Sequence, residues 1–358
     1  MDSVMQRLIE IAEDFRLDGA IRSAVPYGNG HINDTFLAET GADGRRYVFQ
    51  RINGSIFRDV PRLMENIRRV CEHVQVAALR LPADIRQRPM VLIPAKHGGT
   101  FVKDVEGNCW RVYEYLEGTE TIEQVEDVAH ARESAKAFGV FLDMLRDLPG
   151  ARLHETIPHF HDTPKRIQNL EAAVEQDVAG RLSEIGDELQ FVRDHMEMAD
   201  ALTGRLARGE LPERITHNDT KINNIRFDCA TEKGAVVIDL DTVMPGLVHY
   251  DFGDMIRTTA FSGAEDDPDL SAVRLRSEYM AAIYEGFIEG TSGFLTVAEK
   301  ECLGLSGPII CLEIGVRFLT DYLNGDVYFK THRPGQNLDR ARVQLRRVEL
   351  LIEADSRI

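Results

Sequence analysis

Residues 215–225, ITHNDTKINNI, and residues 235–241, AVVIDLD, decide how this chain is read. The runs at 224–227 (NIRF) and 235–238 (AVVI) are apolar and short enough to be strands, and 231–234 (TEKG) has the composition of a turn, so the pair is expected to form a hairpin. A tight loop feeds the first strand and an acid, Asp239, ends the second. That arrangement is expected to bring Asp219, Asn224 and Asp239 around one point. Phosphoryl transfer asks little more of a protein than a carboxylate to orient and deprotonate an acceptor hydroxyl, with oxygen ligands for Mg2+. On this reading Asp219 is the base, and Asn224 with Asp239 holds the metal. Lys221 faces either solvent or the transferring phosphate, and its place two residues after the base favours the phosphate.

Neighbouring residues have plainer readings. His217 is expected to be a buried, hydrogen-bonded histidine that shapes the loop, since base duty falls to Asp219. Asn223 competes with Asn224, and Asp241 reads as a turn residue before Pro245 and Gly246 ahead of a second metal ligand. The segment 251–254, DFGD, spells the magnesium motif of protein kinases, but it begins a helical pattern rather than ending a strand. Asp251 is therefore assigned to bracing the loop from a helix N-terminus, where a carboxylate is stabilised.

Outward from this centre the chain changes character near residues 117–118. Before it lie an amphipathic lead helix around Val4, Leu8, Ile11 and Phe15, strands at 34–40 and 46–52 around the turn 41–44, a helix starting near Val60, and further strands at 90–94 and 110–116. After it come helical patterns at 123–147, 165–177, 187–208, 270–289 and 297–324. The expected architecture is α+β, with a small strand-rich lobe over 1–117 and a larger helical lobe over 118–358.

The strand-rich part is the expected nucleotide half. Residues 27–33, YGNGHIN, let backbone amides at Gly28 and Gly30 approach a phosphate, although an ordinary hairpin turn has the same composition. The strand at 46–52 has no lysine for the α and β phosphates; Gln50 and Arg51 stand there instead, and alternation lets only one of them enter a cleft. Glu65 is a candidate partner for Arg51 or a solvated helix charge. The strap 110–118 offers backbone groups of Glu114 and Leu116 to an adenine, with Tyr113 and Tyr115 as ring contacts or core residues.

Bulk properties narrow the partners. A formal net charge of −17 disfavours nucleic acid and anionic membranes, leaving a small ligand as the default. Five scattered cysteines match neither zinc spacing nor a disulfide scaffold. With no apolar leader and no run of about 18 apolar residues, a cytoplasmic location is expected. Nothing in the sequence speaks to oligomeric state.

Together, the segments 215–225, 237–246 and 251–254 resemble the aminoglycoside phosphotransferase and choline kinase superfamily. The further stretches 27–33, 110–113, 160–164 (FHDTP) and 317–329 are similar to its N-acetylhexosamine 1-kinase branch, so that the likeness spans nearly the whole chain, residues 76–89 excepted. The resemblance implies a bilobal, protein-kinase-like fold and ATP-dependent phosphorylation of the anomeric hydroxyl of N-acetylglucosamine or N-acetylgalactosamine. It also implies that His31, Arg317 and Tyr328 contact the sugar beside Asp219. Without it, Arg317 reads as a helix-surface charge and Tyr328 as a core aromatic. Two other readings stay open: a kinase of another small hydroxyl acceptor, such as an aminoglycoside, choline or homoserine, and an inactive nucleotide-binding protein that has lost its lysine.

Overall fold

Ala38, Tyr47 and Phe49 bury one face of a hairpin over 34–40 and 45–51, in unbroken register from Asp34 opposite Arg51 to Thr40 opposite Arg45. Gly41 and Gly44, at φ +63° and +65°, supply the left-handed backbone of its turn. This computed structural model describes residues 3–28, 32–41, 44–83, 85–125 and 127–355.

In chain order the first elements are α1 (Ser3–Ala12), β1 (Ile21–Pro26), β2 (Asp34–Thr40), β3 (Arg45–Arg51), α2 (Val60–Ala77), β4 (Val102–Lys103), β5 (Cys109–Glu114) and β6 (Thr119–Thr121). The first five strands make an antiparallel sheet in the order β1-β2-β3-β5-β4. Its core side buries Phe15, Ala38, Tyr47, Phe49, Trp110 and Val112 against Leu8 and Ile11 of α1. α2 begins on Asp59, whose carboxylate accepts from the Arg62 amide, with Pro61 in the first turn. Residues 90–94, expected as a strand, make only a single bridge, Leu92 opposite Tyr113. Pro89 and Pro94 deny that segment a continuous ladder.

The helical remainder contains α3 (Val128–Leu145), α4 (Thr163–Gln176), α5 (Gly186–Asp194), α6 (Met196–Ala199) and α7 (Thr203–Ala207). After β7 (Arg214–Thr216) come β8 (Ile225–Asp228) and β9 (Gly234–Val237), which join β6 in a three-stranded sheet of order β6-β8-β9. Then follow β10 (Met244–Gly246), α8 (Val248–Thr259), α9 (Ser277–Gly290), α10 (Val297–Glu301), α11 (Leu303–Leu323) and α12 (Gln336–Asp355). The single helix expected over 187–208 is broken at His195 and Asp200, neither of which keeps helical dihedrals. The one expected over 270–289 starts at Ser277, after a 3-10 turn at Leu270–Ala272.

The chain folds as two compact units: Met1–Thr121 with Met144–Pro158 and Ile225–Met244, and Ile122–Asp143 with His159–Asn224 and Pro245–Ile358. The first is a strand-rich unit around the antiparallel sheet, and the second is helical and larger, an α+β architecture of the protein-kinase-like kind. α11 is long and apolar enough to cross a membrane by composition alone, but most of it is buried among α4, α8 and α12.

Candidate active site

Beyond β7 the chain turns sharply, with Asn218 at φ +66°, a conformation asparagine tolerates better than most residues. This turn is held by α8. The Asp251 carboxylate accepts from the His217 amide at 2.9 Å and the Asn218 amide at 2.6 Å, and its carbonyl accepts from Thr220 Oγ1 at 2.7 Å. One turn later, Asp254 Oδ2 accepts from the Thr220 amide at 2.9 Å, and its Oδ1 binds Arg257 Nε at 2.8 Å. Asp251 is fully buried. Burial pushes its carboxyl up to about 6, restrained by His217 and the two amides. The four letters of the apparent kinase motif thus serve a helix that grips the loop by its main chain. Gly253 completes the device: a Cβ there would meet the Ser306 carbonyl of α11 at 2.5 Å.

A second grip comes from the segment before α4. His161 Nε2 is 3.1 Å from the Asn218 carbonyl, and its Nδ1 is 2.9 Å from Glu313 Oε1 on α11. Thr163 Oγ1 donates to the other Glu313 oxygen at 2.9 Å. With an acceptor at each ring nitrogen, the doubly protonated imidazolium suits the site. Burial opposes that charge, but Glu313 outweighs it and holds the His161 pKa above its ordinary value. Reasoning from residue types did not find this pair; the only signal was the FHDTP stretch that entered through the resemblance. His217 is the buried loop histidine its context suggested. Its Nδ1 accepts from the Asp219 amide at 3.3 Å, and its ring lies edge-on to Phe138 and Phe141.

Within this frame Asp219 keeps a quarter of its side chain exposed and lies 3.0 Å from Lys221 Nζ. Asn224 turns back on it, donating through Nδ2 to the Asp219 carbonyl at 2.8 Å and to Oδ2 at 3.1 Å. Its Nδ2 thus committed, the Asn224 amide offers an oxygen as its remaining ligand atom. Asn223 points elsewhere, to Glu123 at 3.5 Å. Burial pushes the Asp219 carboxyl up, yet Lys221, with help from His217 and Arg257, brings it below the usual carboxylate range. The loop therefore brings together three of the expected residues, Asp219, Lys221 and Asn224, around an ionised carboxylate.

Asp239, Asp241, Gln50, Arg51 and Glu65 sit in the first unit. Asp239 is exposed and left-handed, at φ +57°, where β9 gives way to a 3-10 turn at Leu240–Thr242. Asp241 is buried and ion-paired with the wholly buried Arg111, whose Nη2 lies 2.9 Å from Oδ2. Asn33 Nδ2 adds a bond at 2.7 Å, and Thr156 Oγ1 donates to the Asp241 carbonyl at 2.8 Å. Asp241 is thus engaged in a structural pair, beyond the simple turn role expected of it. Losing either half would leave a buried charge, at a cost of about 3–5 kcal/mol. Gln50 belongs to the same network, accepting from Arg111 Nε at 2.9 Å. Arg51 turns to the opposite face and pairs with Asp34, its cross-strand neighbour, at 2.7 Å. Glu65 pairs with His154 at 2.8 Å rather than with Arg51.

Gly28 has φ +76°, as a tight phosphate-approaching turn or a hairpin would need, while Gly30 and His31 lie outside the described residues. On the strap, the Glu114 amide donates to Val91 O at 2.9 Å and the Leu116 carbonyl accepts from Thr119 Oγ1 at 2.7 Å, so those two groups are already engaged. In the helical unit Arg317 stacks among Phe160, Tyr328 and Phe329, its guanidinium carbon 5.4, 5.9 and 5.5 Å from their ring centres. Tyr328 is exposed, and the amides of Val327, Tyr328 and Phe329 all donate to the buried Asp321 carboxylate.

A sequence profile of the phosphotransferase enzyme family, APH, matches residues 23–285, well over half of the chain. Among solved structures the chain is similar to a spectinomycin phosphotransferase in complex with ADP and spectinomycin, at 14% identity and a TM-score of 0.62, with 98% of each chain covered. An aminoglycoside phosphotransferase from Alicyclobacillus acidocaldarius matches at 15% identity and 0.62, over 97% of this chain and 95% of that one. A Plasmodium vivax ethanolamine kinase matches at 13% identity and 0.55, over 90% and 82%. At these identities the structural likeness speaks for the fold.

Proposed function

Since the chain belongs to the phosphotransferase enzyme family, we propose that it transfers the γ-phosphate of ATP to the anomeric hydroxyl of an N-acetylhexosamine, either N-acetylglucosamine or N-acetylgalactosamine. The observation that carries this reading is the Asp219 carboxylate: partly exposed, held below its usual pKa, and fixed in a loop gripped from α8 and from His161. In the reaction, Asp219 orients the acceptor hydroxyl and takes its proton as the oxygen bonds to the γ-phosphorus and the bond to the bridging oxygen of ADP breaks. Lys221 keeps that carboxylate ionised and provides a cation for the phosphoryl oxygens. The products are ADP and the sugar 1-phosphate.

The donor set fits Mg2+. Among the described residues no group of three or more His, Cys, Asp and Glu side chains could hold a metal ion, but Mg2+ takes one or two protein oxygens and completes its shell with water and nucleotide phosphates. The Asn224 amide oxygen and the Asp239 carboxylate are the hard ligands assigned to it. When bound, it neutralises charge on the phosphates.

Arg317 favours a neutral sugar over a cationic acceptor. A guanidinium set among aromatic rings, as here, can donate to ring or acetamido oxygens, and Tyr328 presents a face for a sugar ring. An ammonium acceptor such as ethanolamine, choline or an aminoglycoside would be repelled. The test is ADP release with N-acetylglucosamine, N-acetylgalactosamine, ethanolamine, homoserine and an aminoglycoside. The N-acetylhexosamines are expected to turn over best, and release confined to the amino compounds would overturn the assignment. Asp219→Asn should lower kcat by about 10²–10⁴-fold with ATP binding retained, and near-normal turnover in that variant would remove Asp219 from the base role.

A further inference from the structure

Residues 27–33 leave β1 and enter β2, and both ends of that connection are held by residues of the β8–β9 hairpin, within the same strand-rich unit. At the leading end the Tyr27 amide donates to Thr35 O at 2.9 Å, continuing the β1–β2 ladder, and the Tyr27 hydroxyl accepts from Arg226 Nη1 on β8 at 2.9 Å. At the trailing end Asn33 Nδ2 donates to Oδ2 of Asp241, just past β9, at 2.7 Å, while Asn33 Oδ1 accepts from the Asn53 amide at 3.0 Å. With both atoms of its amide engaged, Asn33 has one orientation.

Arg226 is 6% exposed and has no donor left for a ligand. Its five N–H groups meet Thr119 Oγ1, Thr121 Oγ1 and Tyr27 Oη, each at 2.9 Å, Tyr115 Oη at 3.4 Å, and the Thr119 carbonyl. The buried Asp241 carboxylate is engaged by Arg111 on both oxygens and by Asn33 on one. Each of the two therefore acts through the residue it holds. Gly28 follows Tyr27 at φ +76°, and a Cβ added there would meet nothing within 4 Å, so the space beside it is open. Two residues before Asp241, the exposed Asp239 sits at φ +57° where β9 ends. One hairpin thus carries the proposed metal ligand and also ties down the turn that offers its backbone to a phosphate.

We propose that Arg226 and Asp241 are positioning residues for the nucleotide: by holding Tyr27 and Asn33 they set Gly28, whose amide is offered to a phosphate, at a fixed span from Asp239, whose carboxylate is offered to the metal. Mg2+ completes its shell with nucleotide oxygens, so an error in that span is felt first in nucleotide affinity. β3 carries no lysine to seat the α and β phosphates, which leaves more of that task to main-chain and metal contacts, and both depend on this span. The inference rests on the phosphotransferase reading above.

The test uses the full-length enzyme and reads binding of ADP with Mg2+ by titration calorimetry, beside steady-state kinetics with ATP and the acceptor turned over best. Tyr27→Phe removes one hydroxyl from a half-buried ring. It is expected to weaken ADP binding and raise the ATP KM by about ten-fold, the worth of one hydrogen bond to a charged group, with the acceptor KM unchanged. Asn33→Ala should do the same, and Asn33→Asp more, because it sets a second carboxylate against Asp241. Arg226→Lys should fall between the wild type and Arg226→Met, and adding Tyr27→Phe to Arg226→Met should cost nothing further. If Arg226→Met fails to fold, the Tyr27 and Asn33 variants carry the measurement. A purely structural tie would lower the Tm and leave the nucleotide affinity of the folded protein as it was; that result, or equal rises in the KM of ATP and of acceptor, overturns the proposal. Wild-type protein that binds no ADP would instead defeat the function proposed above, whereas binding that ignores all these substitutions defeats only the positioning role.

Discussion

A base that touches an ammonium group is kept ready at the expense of basicity, and this is the situation of Asp219 beside Lys221. Replacing Lys221 by Met removes the main charge opposing burial, so the Asp219 carboxyl should titrate at higher pH. The acid limb of the kcat/KM profile is expected to move upward, and an unmoved limb would mean that Lys221 does not set the base. His161 makes a second pH-dependent contribution. Its folded pKa lies above the ordinary histidine value, so the stability it confers is complete below that ordinary value and fades as pH rises through the raised one. Urea unfolding from pH 6 to 9 should show this decline in the wild type. Glu313→Gln should flatten it and lower stability at the acid end by about 3–5 kcal/mol, as expected for breaking a buried pair. The Asp219, Lys221 and Asn224 cluster was legible because five consecutive steps of chain contain it. His161 was not, since its contact with Asn218 spans 57 residues and a lone histidine ahead of a helix carries no chemistry of its own.

Among the elements, α8 shows how one sequence pattern can be read in two ways. Asp251 looks like a metal ligand by spelling, but its helical context turns it, with Asp254, toward main-chain amides. Gly253 is there for packing on α11, and Gly253→Ala should cost about 1–3 kcal/mol through overpacking, a fall in Tm of roughly 2–4 °C for each kcal/mol at this size. A thermal melt that does not move would show that α8 and α11 have room to separate. The β2–β3 hairpin and α2 were legible because period and turn chemistry agree there. α12 escaped notice for a physical reason: its buried side carries Gln344 and Arg347 among Ala341, Leu345, Val348 and Leu351, so the apolar stripe that announces a helix is interrupted. The break of the 187–208 pattern at His195 and Asp200 was equally hidden, since neither residue is a strong helix breaker.

For the molecule as a whole, the Mg2+ proposed above is expected to serve the reaction and not the fold. No metal-holding group of three or more His, Cys, Asp and Glu side chains occurs among the described residues, so EDTA should abolish turnover while the thermal melt of the unliganded protein stays in place. A lowered Tm in EDTA would point to a structural ion. The α+β character was legible from the switch in periodicity near residue 117, whereas the return of two later segments, Met144–Pro158 and Ile225–Met244, to the strand-rich unit was not, because proximity across such separations leaves no local pattern. That return has a consequence during synthesis. β6 cannot find its neighbour β8 until residue 228 has been made, so the strand-rich unit, which begins first on the ribosome, stays incomplete until Met244 has been added. β6 must wait without its sheet partner while some hundred further residues emerge, and gene fragments cut at the change of pattern would yield a half-built product prone to aggregation.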